Sequence, residues 1–188
     1  YKRQVEQLAS EIMGMVEAYT NLNIDLATTA GSADIRYAHS SKANPTSYAY
    51  TPGPGAGGDV WMGNQYNYTN PVPGNYSWLT HIHETGHAFG FKHSNEAGGI
   101  ANVTVPAAHD ALEYTVMSYR SYVGGPTTAY TNEAYGYPTT YMMNDILALQ
   151  TLYGADYTTN SGDTVYTWNS STGQMSICLL YTSDAADD

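Results

Sequence analysis

Five residues near the middle of the chain, His83, Glu84, His87, Gly90 and His93, stand at the offsets HExxHxxGxxH. Two histidines four apart on a helix project from one face and can grip a single metal ion. Glu84 falls on the next column of such a helix, close enough to serve a metal-bound water as base without ligating the ion. Gly90 lets the chain leave the helix sharply, through a backbone angle other residues resist, so that His93 can return as a third nitrogen ligand. Three protein ligands leave a position open for water, the pattern of a catalytic zinc site, whereas a structural zinc site usually closes four ligands rich in Cys. At this composition the constellation arises by chance in about one chain in 50,000, so it is a specific signal. Two alternatives stay open beside a zinc hydrolase: a zinc-stabilised structural domain, and a protease-like domain that binds zinc but is catalytically impaired.

These residues need a helix beneath them and a sheet beside it. Residues 76–90 read as that helix, with Asn75 or Ser77 as cap and Gly90 as stop. Upstream, Val5, Leu8, Ile12, Met15 and Val16 recur at helical spacing and predict an amphipathic helix over 2–19. Alternating or β-rich runs predict strands at 23–28, 33–39, 47–51 and 59–62, the last two around a Pro and Gly turn at 52–58. A third helix is predicted over 141–153, with Met142, Ile146, Leu149 and Leu152 on one face, Thr139 or Thr140 as cap and Gly154 as its end.

Composition narrows the setting. With 188 residues, 42% of them hydrophobic, the chain can bury the core of one domain. A formal charge of minus 11 disfavours nucleic acid or an anionic membrane as partner. No apolar run approaches the roughly 20 residues that span a bilayer. Charged residues at 12%, beside 19 Tyr and 18 Gly, suit an extracellular protein, expected to be a monomer acting on protein or peptide. The single cysteine, Cys178, has no internal disulfide partner. The chain starts at Tyr1, so no leader is legible in it.

Downstream of His93, residues 115–120 read TVMSYR. Alone, Met117 is core filler; behind HExxHxxGxxH it resembles the methionine turn of the metzincins. Tyr119, two residues on, resembles the tyrosine that astacins and serralysins carry there. GDVW at 58–61, MSYRSY at 117–122, LYGAD at 152–156 and GDTVYTW at 162–168 are all similar to serralysins, so the resemblance covers nearly the whole chain. Two positions depart from it: Phe91 follows Gly90 and Ser94 follows His93, where most serralysins have Leu and Pro. Phe91 is also astacin-like, but astacins carry cysteines that this chain lacks.

The resemblance implies an α+β zincin/metzincin catalytic domain: a twisted mixed β-sheet with an N-terminal helix, an active-site helix and a C-terminal helix. It implies Zn2+ held by His83, His87 and His93, with Met117 packed under the imidazoles. Tyr119 is then a further ligand at rest that swings away to stabilise the oxyanion, and Glu84 is the general base. The activity implied is that of a secreted, extracellular, bacterial zinc endopeptidase, exported without a classical N-terminal signal. Its extended substrate would lie along a sheet edge, expected around residues 58–65.

Asn160, Gly162 and Thr164, in the run NSGDT, resemble part of a serralysin Ca2+ site, although an ordinary turn explains the same residues. The expected organisation is a catalytic domain over 1–155, the start of a truncated calcium-binding β region over 156–177, and a non-native tail over 178–188. That tail, beginning CLLYTSDAAD, resembles the translation of a sequencing adaptor. Among the remaining residues, His81 is expected at the surface or behind the ligands, His39 at a strand end and His109 in a loop. Asp110 and Glu113 are candidates to orient a ligand.

Overall fold

The computed structural model describes residues 2–99, 102–159 and 171. Asn160, Gly162, Thr164 and the tail lie outside the described residues. Among the described residues the fold is α+β, with three α-helices and one three-stranded mixed sheet.

Helix α1, Lys2–Tyr19, has the predicted bounds because its apolar stripe has a core to lie on. Leu8, Ile12, Val16 and Tyr19 are buried, and the polar positions between them face water. Thr20 ends the helix by returning its hydroxyl to Val16 O at 2.7 Å. Strands β1 (Arg36–His39), β2 (Ser47–Ala49) and β3 (Asp59–Met62) form a sheet of order β1-β3-β2. β1 runs parallel to β3, and β2 antiparallel to it, pairing Ser47 with Met62 and Ala49 with Val60. His39 ends β1 as expected.

The strand predicted over 23–28 does not form. Ile24 packs on the main core, but Leu26 is 94% exposed, and Ile24 N donates to Glu17 Oε1 at 2.8 Å instead of to a neighbouring strand. Alternation specifies a strand only where a ladder exists to join, and here the helix side chain takes the backbone donor.

Helix α2, Tyr76–Ala88, lies against β2 and β3. Asn75 caps it, its side-chain oxygen accepting from Trp78 N at 2.8 Å. Nearly every residue of α2 is buried, polar ones included, so its hydroxyls turn back on its own carbonyls: Thr80 to Tyr76 O at 2.8 Å and Thr85 to His81 O at 2.6 Å. His81 is wholly buried, not at the surface, with Nδ1 on Ser77 O at 2.7 Å and its ring edge-on to Tyr68. Burial pushes its pKa down to about 4, which keeps it neutral.

Helix α3, Met143–Tyr153, begins one turn after the predicted threonine caps. Its first turn is held by Asp145, whose Oδ2 accepts from Met142 N at 2.9 Å. Ile146 and Leu149 are buried as expected, but Leu152 is 55% exposed. Tyr153 takes the inward position instead, donating to Phe89 O at 2.7 Å while its ring meets Phe89 edge to face. Gly154, at φ 79°, ends the helix. Across the chain, Asn21 N bonds Gly154 O and Asp156 N bonds Tyr19 O, tying the end of α3 to that of α1.

Asp145 does more than cap. It also accepts from Thr115 Oγ1 at 2.6 Å and from Val116 N at 2.8 Å, so one buried carboxylate joins α3 to the 115–120 turn. Burial pushes its carboxyl up to about 6 against the pull of these three donors, so it is ionised at pH 8. Replacing Asp145 with Asn sets an NH2 against at least one of the donors. The expected loss is about 2–3 kcal/mol of unfolding free energy at pH 8, read from urea denaturation. An unchanged midpoint would remove Asp145 from this role.

Candidate metal centre

His83 and His87 project from the last two turns of α2, and His93 returns to them from beyond its end. That return is made at Gly90, whose φ of 104° suits glycine alone. Gly90 N bonds His87 O at 2.9 Å and Phe91 N bonds Gly86 O at 3.0 Å, the paired bonds of a Schellman ending. The reversal folds the Phe91 ring over Gly86, where an added Cβ would lie 2.8 Å from Phe91 and 3.0 Å from Met117 Sδ. Gly86 must therefore be small for two elements to close on the helix between its two histidines.

Each imidazole is aimed from behind. His83 Nδ1 lies 2.7 Å from Val116 O, His87 Nδ1 2.8 Å from Phe91 O, and His93 Nδ1 2.7 Å from Glu96 Oε1. All three partners can only accept, so each Nδ1 is assigned the proton and each Nε2 keeps its lone pair. The Nε2 atoms of His87 and His93 are 3.1 Å apart, and one ligand atom of each histidine falls within 4.8 Å of the others. Lone pairs that face each other repel, and a shared cation relieves them. Three neutral imidazoles form a donor set that suits zinc. Burial, then the neighbouring His87, pushes His83 down to about 3, and burial lowers His87 as well, so both stay in the ligand form.

Glu84 is 6% exposed and stands beside the three rings in a cleft of about 370 Å³. Its Oε1 accepts from Ser47 Oγ at 2.7 Å. Burial pushes its carboxyl up to about 7, opposed by that hydroxyl. Tyr119 OH lies 2.7 Å from His93 Nε2, at the mouth of the same cluster. Burial and then the Glu96 and Glu84 carboxylates push its phenol up to about 12, so it keeps its proton at neutral pH. Strand β2 lines the cleft together with Tyr76, Leu79, Thr80 and Tyr130. The open edge beside the cleft is thus β2. Residues 58–65 contain β3, which is the central strand and paired on both sides.

The 115–120 turn backs the site. Met117 is buried at 3% exposure and reaches Gly86, while Met117 O accepts from Ser94 N at 3.2 Å. Asp110 gathers Ser94 Oγ, Ser118 Oγ and Arg120 Nε, fastening the residue after His93 to the turn. It reaches no imidazole directly, and Glu113 is exposed. His109 sits in a short 3-10 turn and stacks on Tyr114. The residue that orients His93 is Glu96, which the sequence reading passed over. Its position three residues after a ligand histidine, in an acid-poor segment, was the available signal.

A histidine pair on a buried helix, a third histidine past a glycine reversal, a methionine turn and a mixed sheet together define a metzincin-type catalytic domain. The chain is serralysin-like within that class. It is 42% identical over 137 residues to a serralysin of Proteus mirabilis, covering 69% of this chain and 26% of that protein. It is 36% identical over 155 residues to the metalloprotease AprA of Pseudomonas entomophila, covering 77% and 32%. With a serralysin B of Dickeya chrysanthemi it shares 31% identity over 185 residues, covering 90% and 37%. The chain thus spans between a quarter and two fifths of these relatives' lengths. No family profile matches it.

Because Glu96 touches His93 and would reach a bound metal only through it, its loss should weaken the site without unfolding it. Glu96→Ala is expected to lower zinc affinity about 10- to 100-fold, read by competition with a chromogenic chelator. Unaltered affinity would leave His93 oriented by something else.

Proposed function

We propose that the domain is the catalytic part of a secreted zinc endopeptidase that hydrolyses peptide bonds in extended protein substrates. The observation that carries the reading is the convergence of three neutral imidazole Nε2 atoms beside a buried carboxylate that is not one of them. His83, His87 and His93 would hold the ion, with the Tyr119 phenol beside it. Zinc, when bound, supplies a Lewis acid that polarises the scissile carbonyl and acidifies a water. Glu84, with a proton affinity poised near neutrality, takes the water's proton and passes it to the leaving nitrogen. Tyr119, protonated at working pH, donates a hydrogen bond to the developing oxyanion. Strand β2, at the sheet edge along the cleft, offers main-chain groups to an extended peptide; pairing of that kind tolerates many sequences.

Secretion is proposed on composition and on the serralysin likeness; among the described residues no helix is long and apolar enough to cross a membrane. Calcium enters the same proposal through Asn160, Gly162 and Thr164. Three residues offer a small share of the six to eight oxygens that the ion prefers. Calcium should therefore raise the melting temperature of this chain little, and a large rise would mean a complete site.

The experiment is a quenched-peptide assay with zinc determination on the wild type, Glu84→Gln and Tyr119→Phe. Glu84→Gln should keep one equivalent of zinc and lose roughly 10²- to 10⁴-fold in rate. Tyr119→Phe should lose about a hundredfold in kcat while zinc stays bound by the imidazoles. Turnover retained in Glu84→Gln would sink the mechanism. A zinc-loaded wild type that cleaves nothing would favour the alternative of a zinc-binding domain without catalysis.

A further inference from the structure

Glu84 is held asymmetrically. Its Oε1 accepts from Ser47 Oγ at 2.7 Å, while its Oε2 is buried with no hydrogen-bond partner in the protein. In its ionised, proton-accepting form the carboxylate has no proton to give, so the serine hydroxyl is the donor. Ser47 opens strand β2, 37 positions before Glu84, and lines the same cleft as the three histidines. Tyr48, the next residue, stacks on Trp61, and the backbone of Ser47 is fixed by its register against Met62. The hydroxyl therefore comes from a paired strand, not from a loop. A buried unpaired oxygen is costly, so an Oε2 left bare beside a ligand cluster calls for a purpose.

We propose that Ser47 is a positioning residue for Glu84, clamping Oε1 so that Oε2 is the oxygen that takes and returns the proton. The inference rests on the hydrolysis proposed above. As the water oxygen bonds to the scissile carbon, its proton moves to Oε2; as the C–N bond breaks, Oε2 returns that proton to the leaving nitrogen. Oε1 keeps its bond from Ser47 throughout. Without the clamp the carboxylate can turn about its last bond and present either oxygen, at a geometry that one bond no longer sets.

The test compares wild type, Ser47→Ala, Ser47→Thr, Glu84→Gln and the Ser47→Ala, Glu84→Gln pair, each loaded with zinc and given a quenched peptide. Ser47→Ala should lower kcat about tenfold with KM and zinc content unchanged. Ser47→Thr, which keeps the hydroxyl, should recover most of that loss. In the Glu84→Gln background Ser47→Ala should cost nothing further. A second readout uses zinc-free protein with 13C-labelled glutamate carboxyls, where the Glu84 signal is the one lost in Glu84→Gln. It should shift in Ser47→Ala and hold in Ser47→Thr. Unchanged kcat, a rise in KM alone, loss of zinc, or an unshifted carboxyl would each overturn the assignment. If zinc-loaded wild type cleaves nothing, the functional reading fails, and the carboxyl signal alone then decides whether the clamp exists.

Discussion

Three lone pairs must be aimed at one point, and most of the structure answers to that requirement. An imidazole can turn about two bonds, so a helix that merely presents His83 and His87 does not fix where their Nε2 atoms face. The fixing is done from the far nitrogen, by Val116 O, Phe91 O and Glu96. Each acceptor must itself be held. Val116 is held through its own N–H by Asp145 on α3, and Phe91 by the glycine reversal that ends α2. Glu96 is the weakest of the three supports, a half-exposed carboxylate on a loop. The aim of His83 thus depends on a residue 62 positions away in sequence, and the aim of His87 on one four positions away.

The same requirement explains why so polar a helix is buried so completely. A metal site needs ligands that stay neutral and do not wander, and burial enforces both by disfavouring charge and removing competing water. The cost is that the other polar groups on α2 need partners, and most of them find one within the helix. Thr80, Thr85 and His81 bond backward along the helix, and Tyr37 OH, 2.7 Å from Thr85 Oγ1, donates to a hydroxyl whose own proton goes to His81 O. Glu84 is satisfied on one oxygen only. Ser77 Oγ and His81 Nε2 on the same helix are also buried without a partner, so Glu84 Oε2 is set apart by its place beside the three imidazoles, where chemistry would use it.

What was legible in the sequence was whatever depends on short spacing. The 3.6-residue stripe of α1, the alternation in β1 and β3, the histidines at i and i+4 and the glycine before the reversal are local signals, and each leads to the element observed. What was not legible depends on a partner far along the chain. Residues 23–28 alternate as a strand should, yet no ladder joins them. Asp145 reads as an ordinary early-turn acid of a helix, and nothing local says that its capping oxygen also serves residue 116 and its other oxygen residue 115. Strand β2 and strand β3 look alike in sequence, so which of them is the edge follows only from pairing. Ser47 is one serine among many until β2 lies against α2.

The two departures from the serralysin pattern, Phe91 and Ser94, are instructive because both sit on backbone whose carbonyl or amide serves the site. Phe91 supplies the acceptor for His87, and its ring fills the space that Gly86 leaves open, so a side chain of that bulk requires the helix to be bare at 86. Ser94 leaves its N–H free to bond Met117 O, which proline could not do, and its hydroxyl adds a second tie to Asp110. Where proline would stiffen the chain after His93 through its ring, this chain does so through two hydrogen bonds to the methionine turn and its buttress. The position of the third histidine is therefore set by the turn beneath it as much as by the loop that carries it. A change that loosens residues 110–118 should therefore be felt at His93 through Ser94 as well as at His83 through Val116 O.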